Sequence, residues 1–369
     1  MDFKNNVGQL YYIFPYLRSA KNRYGLILAL IFGRNKFKLK LKNGANIILK
    51  RTQFLTLLNL LGAVSFSTSC PKVSENTIEL SFDMKNKFVI PLNDLSLENE
   101  KLLELLFNGI QYGATFITSP EGDDFIVDGK TLKIIDINNR KIIETGNGLK
   151  FYLDSITPGI IVETFIRKIH TINPFEDWNN KTVVDVGAEC GDTAIYYASK
   201  GARVYSFEPI RAHYDSMLRN IGLNPEIADR IIPINAAIGK DGVLKFYQSS
   251  RAEIAEGASF VYNTHGKEAK ISEVKGYSLD SAYAKFNLTH IDLLKMDCKG
   301  CEFYLTDDSL RNVETVKIEY LILDDSHKLE DLLMILTRND FQYIIFRHEP
   351  IFYRSNLVSA TIYAKKSRI

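Results

Sequence analysis

The alternation of apolar and polar positions changes character near residue 180. Before this point short alternating stretches predominate. Over residues 36–50, apolar residues alternate with lysines around an Asn43-Gly44 turn, which predicts a β-hairpin. After this point, short unbroken apolar runs alternate with segments of helical periodicity, which is typical of strands buried on both faces of a parallel sheet. We therefore predict an α+β module over residues 1–158 and an α/β domain over residues 159–369.

The second part of the chain carries the predicted strands of one sheet. They cover residues 182–186, 203–207, 230–238, 291–296, 314–323, 341–346 and 358–363, the last two as a hairpin. Helices are predicted at 194–200 and 327–337, and residues 242–248 are predicted to return as a strand from the third strand. Residues 249–278 are polar and lack periodicity, so we predict an insertion there that contacts the substrate, with Arg251, Glu253, His265 and Lys267.

A strand, a glycine turn, a helix and a second strand follow one another over residues 181–209. Gly187 and Gly191 bracket a loop of small and polar residues, and glycine allows a backbone to approach a ligand closely. We expect Asp192-Thr193 to cap the helix that follows. The second strand ends in Glu208-Pro209, about 20 positions after the loop, where a carboxylate can accept hydrogen bonds from a ribose diol.

The acidic residues around this loop favour a cationic nucleoside over a dinucleotide. The pattern is D-x-G-x-x-x-G rather than G-x-G-x-x-G, and Asp185 lies near the end of the first strand. A pyrophosphate at a helix N-terminus requires bare amides without a nearby carboxylate, whereas a ligand with an ammonium and a sulfonium tolerates Asp185 and Glu189. S-adenosylmethionine is such a ligand. The alternative is a plain α/β crossover that binds no ligand.

The second informative stretch is I-D-L-L-K-M-D-C-K-G-C-E, over residues 291–302. Ligands of open α/β sheets bind beyond the carboxyl ends of the strands, so Asp297 should face the same crevice as Gly187 and Glu208. Asp297 could orient the methyl donor, take a proton from a substrate hydroxyl, or serve only as a helix cap. Gly300 allows the turn into the next helix, which Glu302 begins.

Three blocks of this sequence resemble one known family. They are D-V-G-A-x-x-G-D-T-A-I-Y-Y-A, F-E-P and I-D-L-L-K-M-D-C-x-G-C-E, and they resemble the FkbM family of S-adenosylmethionine-dependent methyltransferases, in an archaeal-type version. The resemblance covers residues 183–319. It implies a Rossmann-like class I methyltransferase sheet of seven strands, the last one antiparallel, here preceded by the smaller α+β module. It also implies methyl transfer to an oxygen, commonly a hydroxyl of a sugar or natural product.

The predicted S-adenosylmethionine site follows from this resemblance and from neighbouring loop residues. The positions that the resemblance implies are Asp185, Gly187, Ala188, Gly191, Asp192, Glu208 and Asp297. We add Glu189 from the glycine loop, Pro209 from the end of the second strand and Ala236 from the tip of the third. We predict no metal ligands.

One position departs from the family pattern D-x-E-G-x-E, because Lys299 stands where the first Glu is expected. This change implies a shifted substrate, such as an anionic one, or a weakened activity; the alternative is that Lys299 only faces solvent. Cys298 and Cys301 offer two ligands, whereas structural zinc takes four, which argues against a zinc site. A redox C-x-x-C motif usually occurs in a thioredoxin-like sequence context, which this chain lacks. We therefore expect them to fill the turn behind the cofactor, with Cys190 as a third ligand or disulfide partner in the alternative case.

Four residues are candidates for the chemistry of methyl transfer, namely Asp297, Glu302, Glu319 and His327. A carboxylate within a buried strand needs a partner, so Glu319 either faces the substrate or pairs with Lys295 on the neighbouring strand. His327 is the only histidine expected near the crevice. It is a candidate general base, and the alternative is an exposed histidine at a helix start.

Composition restricts the partners and the compartment. The net charge of +2 argues against a protein that coats a polyanion, but ten of the first fifty residues are Lys or Arg and only one is acidic. Residues 1–42 are predicted either to touch an anionic membrane or to pack on the neighbouring domain. The apolar run 24–33 is too short to span a bilayer, and four cysteines are too few for a secreted disulfide framework. We predict a cytoplasmic protein, with peripheral contact at the inner membrane face as the alternative.

Three functions fit the sequence. The first is an O-methyltransferase that acts on a small molecule or a glycan. The second is an RNA methyltransferase, which the basic start favours. However, neither an N-P-P-Y nor a D-P-P-Y tetrapeptide is present, so we do not expect a nucleic acid partner. The third is a cofactor-binding scaffold with weakened catalysis, which Lys299 and Glu189 keep open.

Overall fold

The computed structural model divides the chain into two compact units, Met1–Ile169 and His170–Ile369. The structure describes residues 13–32, 34–42, 46–50, 57–58, 60–62, 64, 72–73, 77–81, 87–91, 97–111, 115–119, 122–127, 130–170, 176–248, 258–263, 269–353 and 356–367. The domain boundary predicted between residues 158 and 159 lies inside the first of these units and stays a prediction.

The first unit mixes helices with antiparallel strands. Its helices are α1 (Arg23–Ile31), α2 (Leu97–Gln111) and α3 (Pro158–Ile161), with 3₁₀ turns at Phe14–Ser19 and Leu153–Ser155 and a π-helical segment at Val162–Arg167. Its strands are β1 (Lys36–Lys40), β2 (Asn46–Lys50), β3 (Lys72–Val73), β4 (Thr77–Ser81), β5 (Lys87–Pro91), β6 (Thr115–Ser119), β7 (Gly122–Val127), β8 (Lys130–Ile137), β9 (Arg140–Thr145) and β10 (Lys150–Tyr152). Strands β6 to β10 form one sheet in sequential order, β3 to β5 form another, and β1 pairs with β2.

The antiparallel pairing of β1 with β2 confirms the predicted hairpin. Buried and exposed residues alternate along both strands, because every second side chain faces the interior. The Asn43-Gly44 turn lies outside the described residues. Among the helices that the structure describes, none is both long and apolar enough to cross a membrane.

The second unit contains a seven-stranded sheet and a smaller three-stranded sheet. Its strands are β11 (Thr182–Val186), β12 (Arg203–Phe207), β13 (Ile231–Ile234), β14 (Ala237–Ile238), β15 (Gly242–Gln248), β16 (Lys270–Tyr277), β17 (Ile291–Met296), β18 (Val313–Leu321), β19 (Phe341–Tyr353) and β20 (Asn356–Lys366). The order of the large sheet is β13-β12-β11-β17-β18-β20-β19. Its first five strands are parallel, whereas β20 runs antiparallel to both of its neighbours, β18 and β19. The predicted Rossmann-like α/β fold, with the last strand antiparallel, is confirmed.

The apolar character of the central strands explains their position. Val183 and Val184 of β11, Leu294 of β17 and Val316 of β18 are fully buried, because helices cover both faces of a parallel sheet. Burying one such side chain contributes about 1.5–3 kcal/mol relative to leaving it in water. These strands therefore form a rigid base whose carboxyl ends position the loops of the candidate site.

The helices of the second unit correct two predictions. They are α4 (Asp192–Ser199), α5 (Arg211–Gly222), α6 (Leu279–Phe286), α7 (Asp307–Leu310) and α8 (Leu329–Arg338), with 3₁₀ turns at Ala228–Arg230 and Cys301–Tyr304. Asp192 is the first residue of α4 and Gly191, with a φ of +83°, precedes it, so the expected cap at Asp192-Thr193 is wrong. His327 lies in the loop before α8 rather than at its start.

The third predicted strand is shorter than expected. Only Ile231–Ile234 belongs to the large sheet, and β14 pairs with β16 in the small sheet. The chain leaves the large sheet at Asn235, because the side-chain amide of this residue donates to the backbone oxygens of Glu208 and Pro209. Strand β15 pairs with β16, so the predictions that it returns from β13 and that residues 270–277 lack regular structure are wrong.

Candidate functional site

The carboxyl ends of β11, β12 and β17 lie side by side along the border of the large sheet where its parallel strands end, which we call the sheet edge. The amide of Gly187 donates to the backbone oxygen of Phe207 at 3.0 Å, and the amide of Asp297 donates to that of Val186 at 2.9 Å. A Cβ atom on Gly187 would lie 2.1 Å from the backbone oxygen of Asp297, and Gly187 has a φ of +79°. The predicted crevice residues Gly187, Glu208 and Asp297 therefore share one edge, and only glycine fits at position 187.

The glycine loop is fixed by its own backbone. Gly191 donates to the backbone oxygen of Ala188 at 2.7 Å, which closes a tight turn, and Ala188 donates to Phe207 at 3.1 Å. Glu189 adopts a φ of +44°, an uncommon conformation for a residue with a side chain. The loop thus holds a defined shape ahead of the N-terminus of α4.

Glu208 is buried at the end of β12, with 4% of its surface exposed. Its two carboxylate oxygens accept hydrogen bonds from the amides of Glu189 and Ile210, each at 2.8 Å, and Nδ1 of His213 lies 3.9 Å away. Burial raises the pKa of Glu208 to about 7, although both backbone hydrogen bonds oppose the rise. The carboxylate ties the glycine loop to the start of the next segment, and its remaining lone pairs can accept further donors.

Asp185 pairs with Lys295. We expected the Asp185 carboxylate to face the cationic end of a cofactor. Instead it is fully buried and lies 3.0 Å from Nζ of Lys295. Lys295 also donates to the backbone oxygen of Gly187 at 3.2 Å. Burial disfavours its charged form, but Asp185, Asp297 and Asp192 outweigh this effect and raise the pKa of Lys295. The ion pair therefore supports the glycine loop from below.

Lys299 joins two of the predicted catalytic carboxylates. Its Nζ lies 2.7 Å from Oδ1 of Asp297 and 3.2 Å from Oε1 of Glu319. Burial raises the pKa of Asp297, but the charges of Lys299 and Lys295 outweigh it, so the pKa of Asp297 is lowered. The expectation that Glu319 pairs with Lys295 is wrong, and Lys299 does not simply face solvent.

Glu302 organises the turn that follows β17. The residue is completely buried, and its carboxylate accepts hydrogen bonds from the amide of Gly300 at 2.8 Å and the amide of Leu321 at 3.1 Å. Burial raises its pKa to about 7, against the opposing effect of the backbone hydrogen bonds. Within this turn a disulfide bond joins Cys298 to Cys301, which the expectation of plain packing residues did not include.

His327 lies beyond the carboxyl end of β18 with a carboxylate partner. Its Nδ1 lies 2.9 Å from Oδ1 of Asp324, and its backbone amide donates to the same oxygen at 3.0 Å. Its ring packs against Phe303, with centroids 4.6 Å apart, and against Tyr262 at 5.9 Å. A donated Nδ1–H leaves Nε2 with a lone pair, which is the arrangement of an oriented general base.

Sequence reasoning missed several partners of these residues. The expectation that His327 is the only histidine near the crevice is wrong, because His213 lies beside Glu208. A further histidine, His170, contacts the buried Lys317. Burial and the nearby Lys295 lower the pKa of Lys317 to about 8. The pairing of Lys295 could have been predicted, because a lysine inside the apolar run of β17 requires a buried acid as its partner.

Of the remaining predicted positions, Pro209 borders a cavity of about 540 Å³, whereas Ala236 does not line it. Pro209, Ile210 and Asn235 line it next to Glu208, and Gln248 and Ser272 of the small sheet line its other side. Ala236 is buried, and its amide donates to Ile234. The cavity extends the Glu208 end of the crevice toward the small sheet.

Residues 258–263, one of the two described parts of the predicted insertion, contact the turn after β17. Ser259 Oγ donates to the backbone oxygen of Lys299 at 2.7 Å and accepts from the amides of Val261 and Tyr262. A Cβ on Gly300 would meet Val261 at 2.8 Å. Arg251, Glu253, His265 and Lys267, the predicted substrate contacts, lie outside the described residues.

Two groups of potential metal ligands occur among the described residues. Cys298, Cys301 and Glu302 form one, but the disulfide engages both sulfurs. His290, Asp292 and Glu314 form the other, at the opposite edge of the sheet where β17 and β18 begin. The prediction of no metal ligands stays a prediction.

Comparisons with known proteins complete this description. No curated protein matches the chain. Similar solved structures include a magnesium protoporphyrin IX methyltransferase from Synechocystis PCC 6803 with bound S-adenosylmethionine, at 13% identity and a TM-score of 0.30, covering 52% of this chain and 72% of that one. A precorrin-6y C5,15-methyltransferase from Geobacter metallireducens has 14% identity, a TM-score of 0.29 and coverage of 51% and 81%. An rRNA methylase from Streptococcus thermophilus has 12% identity, a TM-score of 0.33 and coverage of 52% and 89%.

The family model described as the methyltransferase FkbM domain matches residues 185–343. This range begins at Asp185 and includes the glycine loop, Glu208, the turn after β17 and His327. The resemblance carried by the three sequence blocks is confirmed, because residues 185–343 match the model of the methyltransferase FkbM domain.

Proposed function

We propose that this protein transfers the methyl group of S-adenosylmethionine to a hydroxyl oxygen of a sugar, a glycan or a small natural product. The observation that carries the proposal is the meeting of the glycine loop, Glu208 and Asp297 at one sheet edge. An open α/β sheet binds its ligand at this edge. The methyltransferase FkbM domain at residues 185–343 supports the class of reaction.

The residues present fit this cofactor. Both oxygens of Glu208 keep a second lone pair for ribose hydroxyls, and the absence of a Cβ at Gly187 leaves the loop backbone open to a ligand. The cavity beside Pro209, Ile210 and Asn235 offers space at the nucleoside end. When bound, S-adenosylmethionine supplies an electrophilic methyl group on a sulfonium. Asp185 contributes indirectly, because it holds Lys295 under Gly187.

His327 is the base that we assign to the acceptor hydroxyl. A hydroxyl must lose its proton as it becomes a nucleophile, and a base oriented by a carboxylate accelerates such a step by about 10²–10⁴-fold. Asp324 orients the imidazole, and Phe303 and Tyr262 fix the plane of the ring. Asp297 is a weaker candidate for this task because its pKa is lowered, so we assign it to electrostatic stabilisation near the cationic cofactor.

Glu302 and Glu319 act as positioning residues in this proposal. The Glu302 carboxylate is occupied by backbone amides of the turn and of β18, which orients the segment that carries Lys299. Glu319 binds the other side of the Lys299 ammonium. Because two carboxylates neutralise Lys299, its charge does not favour an anionic acceptor.

The test is methyl transfer from tritiated S-adenosylmethionine into fractions of a cell extract, namely small molecules, glycans, RNA and protein. We expect label in the small-molecule or glycan fraction, as an ether that resists mild base. His327→Gln should lower the rate at least about 100-fold without weakening the affinity for S-adenosylhomocysteine. Glu226→Gln, a change at an exposed position, is the matched control and should leave the rate unchanged. Label confined to RNA would favour an RNA methyltransferase instead, and binding without any label would favour a scaffold.

A further inference from the structure

We propose that Cys298 and Cys301 form a thiol–disulfide exchange site that controls the turn carrying Lys299. The exchange itself is independent of methyl transfer, and only its effect on cofactor affinity rests on the proposed function. The family pattern D-x-E-G-x-E does not specify these two positions, and the proposed reaction uses neither sulfur.

The disulfide encloses the two residues of the turn that have unusual backbone conformations. Lys299 has a φ of +54° and Gly300 a φ of +120°, and the bond between Cys298 and Cys301 closes a small ring around them. A non-glycine residue at positive φ is strained, so it persists only where its surroundings hold it. The disulfide is one of the constraints that hold Lys299 in this conformation.

Lys299 connects two site carboxylates with the insertion. Its ammonium bridges Asp297 and Glu319, and its backbone oxygen accepts a hydrogen bond from Ser259 of the insertion. A change in the turn therefore acts on Asp297 at the end of β17 and on the 258–263 segment together. The disulfide thus lies at the junction of the sheet edge, the insertion and the charged cluster.

The burial of the two sulfurs fixes the direction of exchange. Cys301 is 1% exposed, whereas Cys298 is only partly buried. A thiolate from outside can therefore attack Cys298 Sγ, which forms a mixed disulfide and releases Cys301 as the leaving thiolate. Glu302 Oε2 lies 3.4 Å from Cys298 Sγ, so it can accept a hydrogen bond from the Cys298 thiol once the bond is broken.

The reductant is a dithiol, which balances the reaction. Its first thiolate attacks Cys298, the S–S bond breaks, and Cys301 takes up a proton. Its second thiolate attacks the dithiol sulfur of the mixed disulfide, and Cys298 leaves and is protonated. The dithiol becomes a disulfide, and the protein pair gains two electrons and two protons.

The test begins with the thiols themselves. The full chain is equilibrated in mixtures of reduced and oxidised dithiothreitol, alkylated and analysed by peptide mass spectrometry. We expect the peptide that contains Cys298 and Cys301 to pass from unmodified to doubly alkylated in one two-electron transition. Cys298→Ser and Cys301→Ser should abolish that transition, and Cys190→Ser should leave it unchanged. Alkylation of both residues without any reductant would overturn the proposal.

A second readout follows the turn without any cofactor. Trypsin cleaves after lysine in flexible backbone, so cleavage after Lys299 should be at least fivefold faster in the reduced protein. The Cys298→Ser/Cys301→Ser double variant should be cleaved at the fast rate in either buffer. Equal cleavage rates in both redox states would show that the disulfide does not hold the turn.

The third readout connects the turn to the crevice. We expect the affinity for S-adenosylhomocysteine to fall at least fivefold on reduction of the wild-type chain and to be insensitive to reductant in the double variant. Equal affinity in both states would overturn the coupling. If the ligand binds in neither state, the proposed function fails, while alkylation and proteolysis still decide the exchange site.

Discussion

Glu208 is the residue whose protonation bears most directly on the candidate cofactor site. Burial raises its pKa to about 7, and the ionised form is the one that accepts hydrogen bonds from a ribose diol. Protons therefore compete with the ligand below this pKa. We predict that the dissociation constant for S-adenosylhomocysteine is constant above pH 8 and rises by up to about tenfold per unit below pH 7, as linkage to one proton requires.

Calorimetric titration at pH 6, 7 and 8 measures this dependence. Glu208→Gln is the matched variant, because it keeps the shape of the side chain but cannot ionise. Its affinity should be weaker than that of the wild type at pH 8 and nearly independent of pH. An unchanged dissociation constant for the wild type across this range would contradict the assignment.

The Lys299 ammonium is the positive charge between the carboxylates of Asp297 and Glu319. Lys299→Glu restores the family pattern but brings a third carboxylate next to Asp297 and Glu319. Like charges at this distance repel, and oxygen ligands of this kind attract divalent cations. We predict that this variant melts several degrees below the wild type and recovers most of that loss in millimolar Ca²⁺ or Mg²⁺.

Differential scanning fluorimetry with and without the cation checks this prediction. Lys285→Glu, an exposed charge reversal on α6, is the control and should respond to neither change. A Lys299→Glu protein that is as stable as the wild type without a cation would show that the ammonium is not needed there.

At the scale of elements, the ion pair between β11 and β17 connects the sheet to the glycine loop. Removing one partner of a buried pair leaves an uncompensated charge, which costs about 3–5 kcal/mol. We predict this loss in the free energy of unfolding for Lys295→Met. The double variant Asp185→Asn/Lys295→Met should recover most of it, because no buried charge remains.

Urea unfolding of the two single variants and the double variant forms a complete cycle. The coupling energy from this cycle should be clearly favourable, since the atoms are 3.0 Å apart. A double variant as unstable as Lys295→Met would mean that the lost contact with the Gly187 oxygen, rather than the unpaired charge, dominates.

The ends of β11 and β17 lie so close together that we make a second prediction at the scale of elements. In Gly187→Ala the added Cβ meets the Asp297 backbone oxygen at 2.1 Å, and a backbone atom cannot move aside easily. We predict loss of ligand binding and a destabilisation of more than about 2 kcal/mol. Gly242→Ala is the control, because Gly242 also has a positive φ, of +110°, but open space around it. It should cost about 1 kcal/mol and leave binding intact; equal effects of the two variants would contradict a steric cause.

The sequence predicted the elements of the parallel sheet well, because their buried strands are unbroken apolar runs. The prediction failed where a single side chain, rather than the periodicity of apolar residues, determines the course of the chain. Asn235 turns the chain out of the sheet by bonding backbone oxygens of another loop, which periodicity does not report. The loop positions Gly187, Glu208 and Asp297 could be predicted, since topology places them together, but the partners of Asp185 and Lys299 depend on side-chain directions.

At the scale of the whole molecule, the first unit exposes apolar side chains within its basic N-terminal stretch. The predicted contact of residues 1–42 with an anionic membrane stays a prediction. Within that stretch Phe14, Tyr24, Leu28 and Phe32 are each more than half exposed, beside several basic residues. Apolar and basic groups together bind anionic interfaces. We predict that the protein floats with anionic phosphatidylglycerol vesicles and not with phosphatidylcholine vesicles.

Tyr24→Ser/Leu28→Ser should reduce flotation at least fivefold, because both apolar groups are removed. Ile271→Ser, at an exposed position of the second unit, is the control. Equal flotation with neutral and anionic vesicles, or none with either, would favour the alternative in which the basic start packs within the protein.

The central claim for the whole molecule is that the edge formed by the glycine loop, Glu208 and Asp297 binds S-adenosylmethionine. The most direct test is calorimetric titration of the full chain with S-adenosylhomocysteine at pH 8, beside Glu208→Ala and the exposed control Glu226→Gln. We predict micromolar binding at one site in the wild type and in the control, and a loss of at least tenfold in Glu208→Ala. No binding at millimolar ligand, or equal binding in all three proteins, would contradict the account.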